Sequence, residues 1–118
     1  MPSLEELRQR LRDFADARDW EQFHSPKNLA MALIVEAAEL VEQFQWLTEK
    51  ESAELSPSQR EAVEQEMADV LLYLVRLADR LDVDLLSAAD RKIALNARKY
   101  PAAAVRGRAT NRSGDNSP

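Results

Sequence analysis

Cysteine is absent from the 118 residues, which excludes a disulfide framework, a thiolate metal site and a thiol nucleophile. Glycine occurs twice, as Gly107 and Gly114 near the C-terminal end, so no glycine-rich loop cradles a phosphate. A single histidine, His24, is too few for a zinc set without cysteine. The longest apolar stretch, Leu29 to Val35, is far too short to span a bilayer. The opening Met-Pro-Ser-Leu-Glu-Glu lacks the basic and apolar regions of a secretory leader. A soluble cytoplasmic protein is expected, with no membrane partner. Basic residues are missing from two whole segments, residues 28–49 and 61–75.

Those two segments carry the informative acids, Glu36-Ala-Ala-Glu39 and Glu66-Met-Ala-Asp69. A spacing of three places both acids of each pair on one helical face. Glu36 shares its turns with Ala32, Leu33 and Leu40, and Glu66 with Ala62, Val63 and Val70. Single ExxE or ExxD pairs recur on solvated helix faces, but apolar neighbours argue against solvation here. Carboxylates buried without a cation are costly. The acids therefore serve either a cation or a buried ion-pair network. An all-oxygen donor set suits Mg²⁺, and a magnesium site is the sharper expectation.

The net charge of −5 is uneven. Residues 101–118 hold three arginines against one aspartate, which leaves −7 for residues 1–100. So acidic a body argues against a nucleic-acid polymer as partner. It is compatible with a small phosphorylated ligand, because bound cations invert the local field.

Four amphipathic helices are predicted. The first runs from about Ser3, its cap, to about Arg18, with Leu4, Leu7, Leu11, Phe14 and Ala15 as its apolar stripe. A loop rich in large side chains follows, with Trp20, Phe23 and His24. The second helix opens at Ser25-Pro26 and is expected to reach Glu49; its apolar residues from Leu29 to Val41 suggest a central position. Glu51 to Pro57 reads as a linker. The third runs from Ser56-Pro57 to about Leu81, and the fourth, after Asp82-Val83-Asp84, to about Tyr100. The expected fold is an all-α four-helix bundle over residues 1–101, with a disordered tail over 102–118. The apolar faces of the second and third helices exceed what so small a monomer can cover, so an oligomer is expected.

Further residues suit a nucleotide. Tyr73 falls on the face of Glu66 and Asp69, although a core tyrosine would look the same. Lys92, Asn96 and Lys99 or Tyr100 repeat at helical spacing, able to hold phosphate oxygens or to form an ordinary solvated face. Trp20 and Trp46 could stack on a base or pack in a core or interface.

Taken together, Arg18-Asp-Trp-Glu-Gln-Phe-His24, Glu36-Ala-Ala-Glu-Leu-Val-Glu-Gln-Phe-Gln-Trp46, Glu66-Met-Ala-Asp-Val-Leu-Leu-Tyr73, and Lys92 through Asn96 to Tyr100-Pro101 resemble the MazG-like all-α nucleoside triphosphate pyrophosphohydrolases, most of all their dCTP pyrophosphatase branch. The resemblance implies Mg²⁺-dependent hydrolysis of dCTP or a modified dCTP to monophosphate and pyrophosphate. It also implies a homotetramer or dimer with sites built between subunits. Glu36, Glu39, Glu66 and Asp69 match the metal ligands and catalytic acids. Lys92 and Asn96 match phosphate contacts, with Tyr100 closing the motif. Trp20, Trp46 and Tyr73 match aromatic positions around the nucleotide, and His24 lies in a matching segment. Leu11-Arg12 stands where close relatives place a pocket histidine, which loosens the implied cytosine preference. Other readings are a dUTP-directed or broad pyrophosphatase and a non-catalytic helical binding module.

Overall fold

Each main helix begins where a side chain can accept one of the N–H groups that a helix start leaves unpaired. In the computed structural model, which describes residues 1–108, the Ser3 hydroxyl accepts from the Glu6 N–H and starts α1, Leu4–Ala17. Ser25 accepts from Asn28 and Pro26 fills the first turn of α2, Pro26–Glu42. Ser56 and Gln59 form a reciprocal capping box ahead of Pro57. This starts the longest helix. Numbered in chain order it is α4, Pro57–Leu81, because a short α3, Glu49–Ala53, precedes it. Asp84 caps α5, Leu85–Lys99, and one further turn, α6, covers Ala102–Val105. All regular structure among the described residues is helical, as expected.

Three expectations are revised. α2 stops at Glu42, not Glu49. Beyond it the backbone tightens into turns, with Phe44 N–H on Val41 O and Leu47 N–H on Phe44 O, both at 2.9 Å. Thr48 then adopts the extended conformation of a new cap, and its capping box with Glu51 begins α3 inside the expected linker. α6 stands in the segment expected to be disordered; residues 109–118 of that segment lie outside those described.

The chain forms two compact units, Met1–Val83 and the part from Asp84 onward. Within the first, α4 rather than α2 is the shared element, packing on α2 most extensively and on α1 as well. Its core is Ala15, Leu29, Val63, Val75 and Ala78. Arg76 is buried among them at 4% exposure. Met31, Ile34, Val35 and Val41 of α2 and Met67 and Leu71 of α4 remain exposed, matching the surplus of apolar surface read from the sequence. No described helix is long and apolar enough to cross a membrane.

A left-handed residue ends both α1 and α4. Asp19 (φ 53°) and Asp82 (φ 55°) occupy a region costly for most side chains but open to aspartate. After each, the chain folds back: Trp20 N–H bonds Ala15 O at 2.9 Å, and Val83 N–H bonds Ala78 O at 2.8 Å. The first reversal returns the Trp20 indole to Phe14, with ring centroids 5.7 Å apart at 67°.

Candidate active site

On the facing helices α2 and α4, Glu36, Glu39 and Glu66 converge until one carboxylate oxygen of each lies within 4.8 Å of the others. All three are half-buried. Among the described residues, no ion pair joins these acids or Asp69 to a basic side chain. A network of buried salt bridges, the alternative left open by the sequence, does not engage them. Glu36 Oε2 and Glu66 Oε2 are buried without any hydrogen-bond partner, although such atoms are nearly always paired. Burial, then the close Glu39 carboxyl, then the charges of Asp69 and Glu66, push Glu36 from 4.5 up to about 7. Glu66 is raised by the same kinds of cause, burial first and Glu39 next, with Asp69 and Glu42 adding charge. Three converging carboxylates with orphaned oxygens fit a hard divalent cation.

A pH dependence follows. In the unfolded chain Glu36 titrates near 4.5 and in the folded one near 7, so the folded state holds the extra proton in between. Stability is therefore full below the unfolded value and falls as pH rises toward 7. Thermal unfolding in a chelator should show a lower midpoint at pH 8 than at pH 5.5, and a divalent cation should restore it at pH 8.

Asp69 stands outside the three-carboxylate group, one turn further along α4. It lines a cavity of about 160 Å³ together with Leu11, Phe14, Trp20, His24, Leu72, Tyr73 and Arg76. Because its charge also acts on Glu36 and Glu66, it connects the acidic cluster to this aromatic-walled space. Trp20, His24 and Tyr73, expected near a nucleotide, thus share one cavity. Leu11, of the Leu11-Arg12 pair expected to depart from the resemblance, lines the same space.

Trp46 does not join them; it sits in the turn after α2 at 87% exposure. Lys92 and Asn96 lie on α5 and Tyr100 is its C-cap, its N–H bonded to Asn96 O at 2.8 Å. These three belong to the second unit.

The sequence reading missed Arg76 and its partners. Asp79 accepts from Arg76 Nη1 (3.1 Å), Arg8 Nη1 (2.8 Å) and Arg12 Nε (3.1 Å). Burial pushes the Asp79 carboxyl up, but the Arg12 and Arg8 hydrogen bonds outweigh it and hold it below the usual range. Glu21 pairs with Arg76 and Arg80. A signal existed in the spacing, since Arg76 follows Asp69 and Tyr73 at seven and three residues and so shares their face.

A family model for the MazG-like family matches residues 31–112. The chain belongs to the MazG-like family. It is 50% identical over 103 residues to dCTP pyrophosphatase 1 of Homo sapiens, covering 86% of this chain and 61% of that protein. The Bos taurus protein of the same name is 46% identical over 110 residues, covering 92% of this chain and 65% of its own length. This MazG-like chain therefore spans about three fifths of these relatives. A solved pyrophosphatase from Archaeoglobus fulgidus superposes with a TM-score of 0.79 at 43% identity, over 86% of this chain and 94% of that one.

Proposed function

We infer that this MazG-like chain hydrolyses deoxynucleoside triphosphates, dCTP or a modified dCTP foremost, to the monophosphate and pyrophosphate in the cytoplasm. The observation that carries this reading is the Glu36–Glu39–Glu66 cluster with its orphaned oxygens, joined through Asp69 to an aromatic cavity. The identity to dCTP pyrophosphatases and the likeness to the archaeal pyrophosphatase support the reaction class.

Glu36, Glu39 and Glu66, with Asp69, would hold Mg²⁺, which when bound supplies charge neutralisation at the phosphate oxygens. Trp20 and Tyr73 would flank the base, the indole held by its contact with Phe14. The carboxylate oxygen of Glu36 or Glu39 not turned to the ion would accept the proton of the attacking water. Lys92 and Asn96 would hold the polyphosphate, the ammonium as a point charge and the amide as a neutral donor, with Tyr100 beside them. A homo-oligomer, dimer or tetramer, would cover the exposed apolar faces of α2 and α4. Only across such a contact would Trp46 reach a base.

The test is incubation with Mg²⁺ and each common deoxy- and ribonucleoside triphosphate, including dUTP and 5-methyl-dCTP, with products separated by chromatography. Monophosphate and pyrophosphate from cytosine substrates ahead of the rest is the expected result. Release from other bases instead would keep the reaction and discard the cytosine preference. Folded protein that releases nothing would leave a non-catalytic binding module.

A further inference from the structure

Arginine carries only N–H donors and no lone pair. Arg76 Nε donates to His24 Nδ1 across 3.1 Å, so that ring nitrogen has to be the acceptor. An imidazole with an unprotonated Nδ1 is neutral and carries its proton on Nε2. The imidazolium, or the tautomer protonated at Nδ1, would set N–H against N–H.

Arg76 is not free to turn away. Its Nη1 is on Asp79, which Arg8 and Arg12 also grip. Its Nη2 lies 3.2 Å from Glu21 Oε1, ion-paired but not aligned for a hydrogen bond, and is buried without a hydrogen-bond partner. Arg80, paired to the same Glu21, donates from Nε to the backbone oxygen of His24 at 3.1 Å. The histidine is thus fixed at its ring and at its backbone. Both His24 and Arg76 line the cavity, beside the purely apolar Leu11, Phe14 and Leu72.

We propose that Arg76 is a positioning residue that holds His24 as the neutral Nε2–H tautomer, giving the cavity a fixed donor for an acceptor atom on the ring of its ligand. The proposal rests on the nucleotide reading above and deepens it. The ligand class is a planar heterocycle with a carbonyl oxygen or unprotonated ring nitrogen at its edge. Cytosine offers two such atoms side by side, whereas a ring edge presenting N–H at that point would meet the histidine proton. Burial first, then the charges of Arg76 and Arg80 against the opposing Glu21, also hold His24 below its ordinary 6.5. The donor therefore stays in one form through neutral pH.

Because the chain has one histidine, ¹⁵N NMR of labelled protein reads its ring without ambiguity. At pH 7 the wild type should show Nε2 protonated and Nδ1 bare. Arg76→Met should let the tautomers mix and move the titration midpoint up toward 6.5. Adding dCMP should shift the His24 Nε2 and Trp20 indole signals together. For dCTP, Arg76→Met should raise KM about fivefold to tenfold, as for one lost hydrogen bond, with kcat changed far less. A wild-type His24 protonated at Nδ1, or charged at pH 7, overturns the proposal, and needs no variant to fold. An unchanged tautomer in Arg76→Met overturns it too. A dCMP shift at Trp20 without one at His24 removes the donor role and leaves the nucleotide reading standing. If no nucleotide is bound or hydrolysed, that reading and the donor role both fall, and the tautomer still decides the clamp.

Discussion

Glu36→Gln is expected to lower turnover and raise stability at once. The glutamine keeps the shape of the side chain but removes a charge that burial, Glu39, Asp69 and Glu66 all disfavour. In chelator at pH 8 the variant should therefore unfold at a higher temperature than the wild type, and its loss of stability between pH 5.5 and 8 should flatten. The same change removes an anionic oxygen from the proposed metal donor set. Even partners one step outside a metal's ligands are worth about 10–100-fold, so dCTP turnover should drop by about 100-fold or more. Thermal melts and chromatographic turnover on one preparation read both effects. Parallel loss of stability and activity would make Glu36 an ordinary structural residue. Retained turnover would remove it from the metal site.

Asp79→Ala should cost about 3 kcal/mol, the lower end for removing one partner from a buried ion pair. Its carboxylate is 4% exposed and so is the Arg76 side chain it holds. Without it, Arg76 keeps a buried charge with a guanidinium nitrogen newly unpaired. Arg8 and Arg12, at 28% and 43% exposure, can turn to water, which limits the loss. For a domain of this size the melting temperature should fall by about 10 °C or more. A urea melt showing under 1 kcal/mol would mean the arginines re-pair elsewhere. Asp79 is held below its ordinary value, so its stabilisation is present above the unfolded value near 3.8 and fades as pH falls through the folded one. Glu36 acts in the opposite sense, its contribution being lost as pH rises toward 7.

Local chemistry was legible in the sequence. Ser3, Ser25 and Ser56 cap the helices they were expected to cap, and Glu36, Glu39 and Glu66, three of the four singled-out acids, converge between α2 and α4. The end of α2 was not legible, because residues 43–47 have helical composition; the tight turns after Glu42 and the Thr48 cap of α3 leave no mark in the periodicity. The ends of α1 and α4 were placed within a residue, but the left-handed Asp19 and Asp82 behind them were not, because that conformation usually announces itself as glycine. The Arg76 network was hidden for another reason. It joins His24 and Asp79 to residues 52 to 71 positions away, and pairing at that distance depends on packing that no local pattern records.

The acidic cluster and the cavity are tied to one another by a single uninterrupted helix. Glu66, Asp69, Tyr73 and Arg76 follow one stripe of α4, and at a rise of 1.5 Å per residue Glu66 and Arg76 are about 15 Å apart along the axis. Such a helix is a ruler: it fixes the spacing of the backbone positions that carry the acids, the tyrosine and the arginine, whatever else moves. The ruler is also phased. One residue inserted after Asp69 would turn everything beyond it by about 100°, sending Tyr73 and Arg76 off the stripe while Glu66 stayed on it.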